Sequence, residues 1–207
     1  MKDNHVFVGL AVAALVSALV LAPVMASAVS NIVKAQVNGS PSNLNANIKT
    51  ESTVATDGSD GAFGYAVVTL DGLGGAGDSL MVATTHAGVL DSAAQADASD
   101  PVWHTHYVKL KGAGEYCADT NGDLGRLEVD NLSFDTPGIL NVANKHVIFA
   151  NMPPSFTSTS VLGTSPDTWN PGTQASLVAS FTLNPVTTSD SVFHVCVEDV
   201  TPFAAGS

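Results

Sequence analysis

From about residue 32 to residue 200 the chain is cut into short apolar or alternating runs, each closed within about ten residues by glycine, proline, asparagine or aspartate. That punctuation is the strongest constraint on what the chain can become. Runs this short cannot carry an amphipathic helix through enough turns to bury a face, whereas strands need only a few residues. The residues inside the runs agree. Residues 62–70, 79–85, 101–110 and 191–200 are rich in valine, threonine and aromatics, which fit a pleated, half-buried surface. The charged helix formers Glu, Lys and Arg are scarce, because only 13% of the chain is charged. Asp57-Gly58-Ser59-Asp60-Gly61 and Pro137-Gly138 are turn signals between such runs. The expected fold is all-β: an antiparallel β-sandwich of about nine short strands, forming a single domain over residues 29–207.

Residues 1–28 read as a signal peptide. Lys2 supplies the positive charge, residues 6–25 are apolar, and Ala26-Ser27-Ala28 is a small-x-small cleavage pattern, which places the cut before Val29. The alternative is an uncleaved membrane anchor, since about 20 apolar residues span a bilayer as a helix. Cleavage leaves an exported protein, extracellular or held at the cell surface, with no further membrane contact. Asn38-Gly39-Ser40 and Asn131-Leu132-Ser133 are sequons for N-linked sugar in such a chain, and Asn38 is expected in a loop.

Seven Lys+Arg face nineteen Asp+Glu, a formal charge of −12. Nucleic acid and anionic lipid both require clustered cations, so neither is an expected partner. An acidic surface instead attracts cations weakly and keeps an exported protein soluble. The two cysteines, Cys117 and Cys196, are expected to form one disulfide in an oxidising compartment.

Chemistry concentrates in residues 101–110. On a strand, alternate side chains share a face, so His104 and His106 point together while Trp103, Thr105 and Tyr107 point away. Two imidazoles spaced about 7 Å apart at the backbone can lean onto one ion, at metal–nitrogen distances of about 2.1 Å. His86, at the end of the preceding predicted strand, is the candidate third ligand for copper or zinc. His146 and His194 also fall on predicted strands. Asp91, Asp97, Asp100 and Glu115 are carboxylates suited to ligate an ion or to orient an imidazole.

A second cation site is suggested by Asp119-Thr120-Asn121-Gly122-Asp123 and Asp130. Asp119, Asn121, Asp123 and Asp130 are spaced as the oxygen ligands of a calcium loop, although Leu124 stands where the tight turn of that loop needs glycine. An Asx-rich turn bonded to its own backbone explains the same residues. No nucleophile elbow and no His-Glu-x-x-His motif is present, so the sequence leans away from catalysis without selecting an activity.

Two families share the strand His-x-His. In cupins a turn glycine precedes it and a carboxylate follows; here Ala98 and Leu110 or Lys111 stand at those positions, so the chain departs from that motif. His104-Thr105-His106 in a disulfide-bonded β protein is similar to the strand motif of copper–zinc superoxide dismutases, but their zinc-holding His/Asp loop is not recognisable. Taken whole, the leader, residues 101–110 and the Cys196-Val197-Glu198-Asp199-Val200 ending resemble the small uncharacterised exported proteins of ammonia-oxidising archaea. That resemblance implies export and carries no activity with it. Two functional readings follow. One is an exported β protein handling copper or zinc outside the cytoplasm through His86, His104 and His106. The other is a non-catalytic cell-surface structural or interaction module, calcium-stabilised, that docks protein partners.

Overall fold

The structure is a computed structural model that describes residues 29–69, 79–112, 116–117, 127–187 and 193–206. Residues 1–28, Glu115 and the candidate calcium ligands Asp119, Asn121 and Asp123 lie outside the described residues. Among the described residues the fold is all-β and antiparallel, with twelve strands rather than about nine. It is also not a sandwich of two open sheets. Six strands close into a barrel in the order β11–β12–β6–β5–β4–β3, and a separate four-stranded sheet in the order β1–β2–β8–β7 packs against it.

The barrel strands are β3 (Phe63–Thr69), β4 (Ser79–Thr85), β5 (His104–Gly112), β6 (Leu127–Leu132), β11 (Ala175–Thr187) and β12 (Phe193–Ala204). The flanking sheet comprises β1 (Ile32–Ser40), β2 (Asn43–Thr50), β7 (Ile139–Ala143) and β8 (His146–Met152). A two-stranded ribbon, β9 (Phe156–Ser158) with β10 (Asp167–Trp169), forms within the Ser/Thr/Pro-rich stretch 153–172. Trp169 gives that ribbon its purpose, because its ring is fully buried beside Tyr107 and Phe156.

The barrel divides the apolar residues into two cores. Phe63, Tyr65, Val67, Met81, Ala83 and Tyr107 point outward from β3, β4 and β5 and meet Leu44, Ile48, Val147 and Phe149 of the four-stranded sheet. Ala66, Val68, Leu80, Val82, Val108 and Leu132 point inward and fill the barrel with Phe181 and Val197. Strands β3 to β5 are therefore covered on both faces, and every residue of β4 is buried. Burying one large apolar side chain contributes about 1.5–3 kcal/mol, so these double-sided strands anchor the fold.

Asn38 lies on β1 rather than in a loop, with its side chain exposed. The other sequon residue, Asn131 on β6, is buried and its amide is fully used. Its Nδ2 donates to Asp167 Oδ2 (2.6 Å) and to the Thr164 carbonyl (3.2 Å), while its Oδ1 accepts from the Gly163 N–H (2.8 Å). Asp167 is held in turn by Lys109 Nζ at 2.6 Å. Truncating the amide strands one part-buried donor, the Gly163 N–H, and two part-buried acceptors, so Asn131→Ala is expected to cost about 2 kcal/mol. Urea unfolding followed by tryptophan fluorescence measures this, and an unchanged midpoint would show that the network contributes nothing.

Candidate metal centre

Register places the site. Strand β4 runs antiparallel to β5, with Thr84 opposite His104 and Val82 opposite His106. The side chains of residues 82, 84 and 86 share the inward face, so His86, just past the end of β4, reaches over the His104 ring. The His86 and His104 ring centroids are 4.9 Å apart, and those of His104 and His106 are 4.8 Å apart, with edge-to-face planes in both pairs. All three histidines are buried.

Asp91 completes the group. Its carboxylate sits 3.2 Å from His86 Nε2, 3.4 Å from His104 Nε2 and 3.7 Å from His106 Nε2. One ligand atom from each of the four residues lies within 4.8 Å of the others. Tetrahedral coordination at about 2.1 Å from the ion spaces ligands about 3.4 Å apart. The Asp91 distances already match that spacing.

The aspartate belongs to the loop between β4 and β5, and a buried glutamine shapes that loop. Gln95 Oε1 accepts from the N–H groups of Asp91 (3.1 Å) and Ser92 (3.2 Å); its Nε2 donates to the carbonyls of Val89 (3.0 Å) and Asp100 (3.1 Å). Asp97 and Asp100 serve the same loop. Asp97 Oδ1 accepts from Ser99, and the Asp100 carboxylate accepts from Ala96 and Val102, so neither reaches the cluster. His146 lies elsewhere, 3.0 Å from Asn47 Oδ1, and His194 lies 2.7 Å from Glu128. Of the calcium-loop residues only Asp130 is described. It is exposed on β6, 3.7 Å from Lys111 Nζ.

Hydrogen bonding sets which ring nitrogens face the aspartate as acceptors. His104 Nδ1 is 2.7 Å from the Val102 carbonyl and His106 Nδ1 is 2.6 Å from the Ser133 carbonyl. A carbonyl only accepts, so both Nδ1 atoms carry the proton, and in the neutral rings the Nε2 lone pairs point at Asp91. Thr84 Oγ1 satisfies one of them, 3.2 Å from His104 Nε2. His106 Nε2 and Asp91 Oδ1 have no hydrogen-bond partner. Buried lone pairs converging on a carboxylate repel one another unless a cation sits between them.

Burial, with a smaller contribution from the neighbouring His104 and His86, pushes the His106 imidazole down to about 4; Asp91 opposes that shift but does not cancel it. Burial also raises the Asp91 carboxyl, but wherever His104, His86 and His106 turn a proton toward it they outweigh burial and hold it below the usual carboxylate range. His106 is thus ready to ligate at neutral pH without losing a proton. The metal-free fold carries a pH cost. An unfolded chain protonates His106 below about 6.5, while the folded ring resists until about 4. Stability is therefore full above pH 6.5 and is lost as pH falls toward 4, by about 3 kcal/mol in all. Denaturant titrations in the presence of a chelator test this, and a flat profile between those pH values would contradict it. His106→Gln is expected to flatten the same window.

The sequence anticipated the three histidines and included Asp91 among four carboxylates without choosing it. Thr84, Gln95 and the Ser133 carbonyl went unforeseen, because their roles depend on register and loop closure. The expected disulfide is present, with Cys117 and Cys196 bonded at a Cα separation of 5.3 Å. Comparison with protein-family models, curated proteins and solved structures finds no match to this chain.

Proposed function

We propose that this is an exported β-barrel protein that binds one copper or zinc ion through His86, Asp91, His104 and His106 and handles that metal outside the cytoplasm. The observation carrying this reading is the unpartnered His106 Nε2 facing the Asp91 carboxylate in a buried site. Three imidazoles and one carboxylate form a donor set suited to zinc or copper(II), and poor for calcium, which prefers oxygen alone. The Cys117–Cys196 disulfide supports an oxidising, extracytoplasmic setting. The net charge of −12 raises the local concentration of cations.

Native mass spectrometry with elemental analysis tests the assignment on protein exposed to copper or zinc and then desalted. One ion per chain is expected to survive desalting in the natural protein and none in His104→Ala/His106→Ala. Unchanged stoichiometry in the double variant sinks the reading.

A further inference from the structure

Among the described residues, packing does not fill the barrel beyond the histidines. Inside the barrel, beyond His106 and Asp91, lies a cavity of about 80 Å³. Its deep wall is aliphatic, formed by Ala66, Leu80, Val82, Val108, Leu132 and Ala179, all buried. Among the described residues, the lining then grades to half-buried Leu183 and Val195 and to exposed Pro185 at the surface beside β11. The space is several times the 10–15 Å³ or so that one water needs, yet aliphatic walls give water no partners. The deep wall offers few polar groups, and one of those at its end is His106, whose Nε2 has no hydrogen-bond partner and whose residue is 2% exposed.

We propose that the barrel interior is a chamber for a small, uncharged, largely apolar molecule that presents one lone-pair donor atom to the metal at the histidine end. The proposal rests on the metal reading above. An ion held by the four residues lies at the boundary between the polar cluster and the aliphatic wall. Zinc and copper both accept a fifth ligand. The wall excludes charged ligands, because nothing in it compensates their desolvation. It selects by size, because close-packed aliphatic side chains leave room for only a few heavy atoms.

Two probes test this. Xenon applied to the metal-free protein is expected to shift the methyl NMR signals of Val82, Val108 and Leu132. Methyl isocyanide added to copper(I)-loaded protein is expected to show a bound C–N stretch in the infrared. Ala179→Leu fills the chamber from β11 without touching a ligand. It is expected to keep its copper, lose the xenon shifts and bind the isocyanide at least about ten-fold more weakly. Leu80→Ala enlarges the space instead, and is expected to improve tert-butyl isocyanide relative to methyl, so the test survives if the filled variant does not fold. Copper binding with no xenon shift, or with equal isocyanide affinity in the filled and natural proteins, overturns the chamber and leaves the metal site standing. Xenon binding without any copper or zinc uptake overturns the metal reading and, with it, the donor contact proposed here.

Discussion

Saturating zinc is expected to raise the melting temperature of chelator-treated protein by roughly 10 °C, and the rise is expected to disappear in His104→Ala/His106→Ala. A ligand that binds only the folded state at about 1,000 times its dissociation constant adds about 4 kcal/mol. For a chain of this size each kcal/mol is worth about 2–4 °C. The binding-competent residues exist together only in the fold, since His86, Asp91 and the His104/His106 pair come from the end of β4, a loop and β5. The measured quantity is the metal-dependent increment, so any change that the substitutions make to the metal-free stability cancels. Asp91→Asn keeps the shape of the side chain but removes the charge that faces all three Nε2 atoms, and is expected to shrink the increment without abolishing it. Copper(II) should give a larger increment than zinc at equal free concentration, following the general affinity order of these ions. Calorimetry or circular dichroism measures each case. An increment that survives in the double variant would locate the bound ion elsewhere and remove the support for this site.

The parts of this site that were readable in the sequence are the parts set by local periodicity. His104 and His106 share a face because residues two apart on any strand do, whatever the strand pairs with. His86 was legible because it ends an apolar run. Asp91 was not distinguishable from Asp97 and Asp100, since all three are acidic loop residues; what separates them is Gln95, whose amide turns Asp91 inward while the other two carboxylates bind backbone N–H groups. The fold shows the same division. Alternation announced strands, but barrel closure depends on β11 pairing with β3 on one side and β12 pairing with β6 on the other, contacts far apart in the chain. Strands β3 to β5 carry apolar residues on both faces, a pattern equally at home in the middle of a sandwich or in the wall of a barrel beneath a second sheet. Ribbon β9–β10 was hidden because each strand is three residues long and only Trp169 marks it.

The closure of the barrel is also where the disulfide acts, and removing it should have the largest effect of any change outside the histidines. Among the described residues, strands β12 and β6 pair through Cys196 with Glu128 and Val197 with Leu127, the shortest seam around the barrel. Cys117 lies between β5 and β6, so its bond to Cys196 ties β12 across that seam. Neighbouring side chains reinforce the same place. Glu128 is paired with His194 at 2.7 Å and Lys111 at 3.1 Å, and the Tyr116 ring stacks on His194 with centroids 4.4 Å apart. The bridge spans 79 residues, for which the loop-entropy model gives about 4.5 kcal/mol. Both cysteines are buried, so paired replacement by alanine is a cleaner test than reduction, which must first open the fold. Cys117→Ala/Cys196→Ala is expected to lose about 4 kcal/mol in denaturant unfolding. Hydrogen exchange should show where the loss begins. Amides of β6 and β12 along the seam should lose protection first, whereas those of β2 and β8, which lie in the other sheet, should retain theirs until global unfolding. Uniform loss of protection across both sheets would mean that the bridge acts only on the unfolded chain. Retained stability would mean that the two-pair seam and its Glu128 cluster close the barrel unaided.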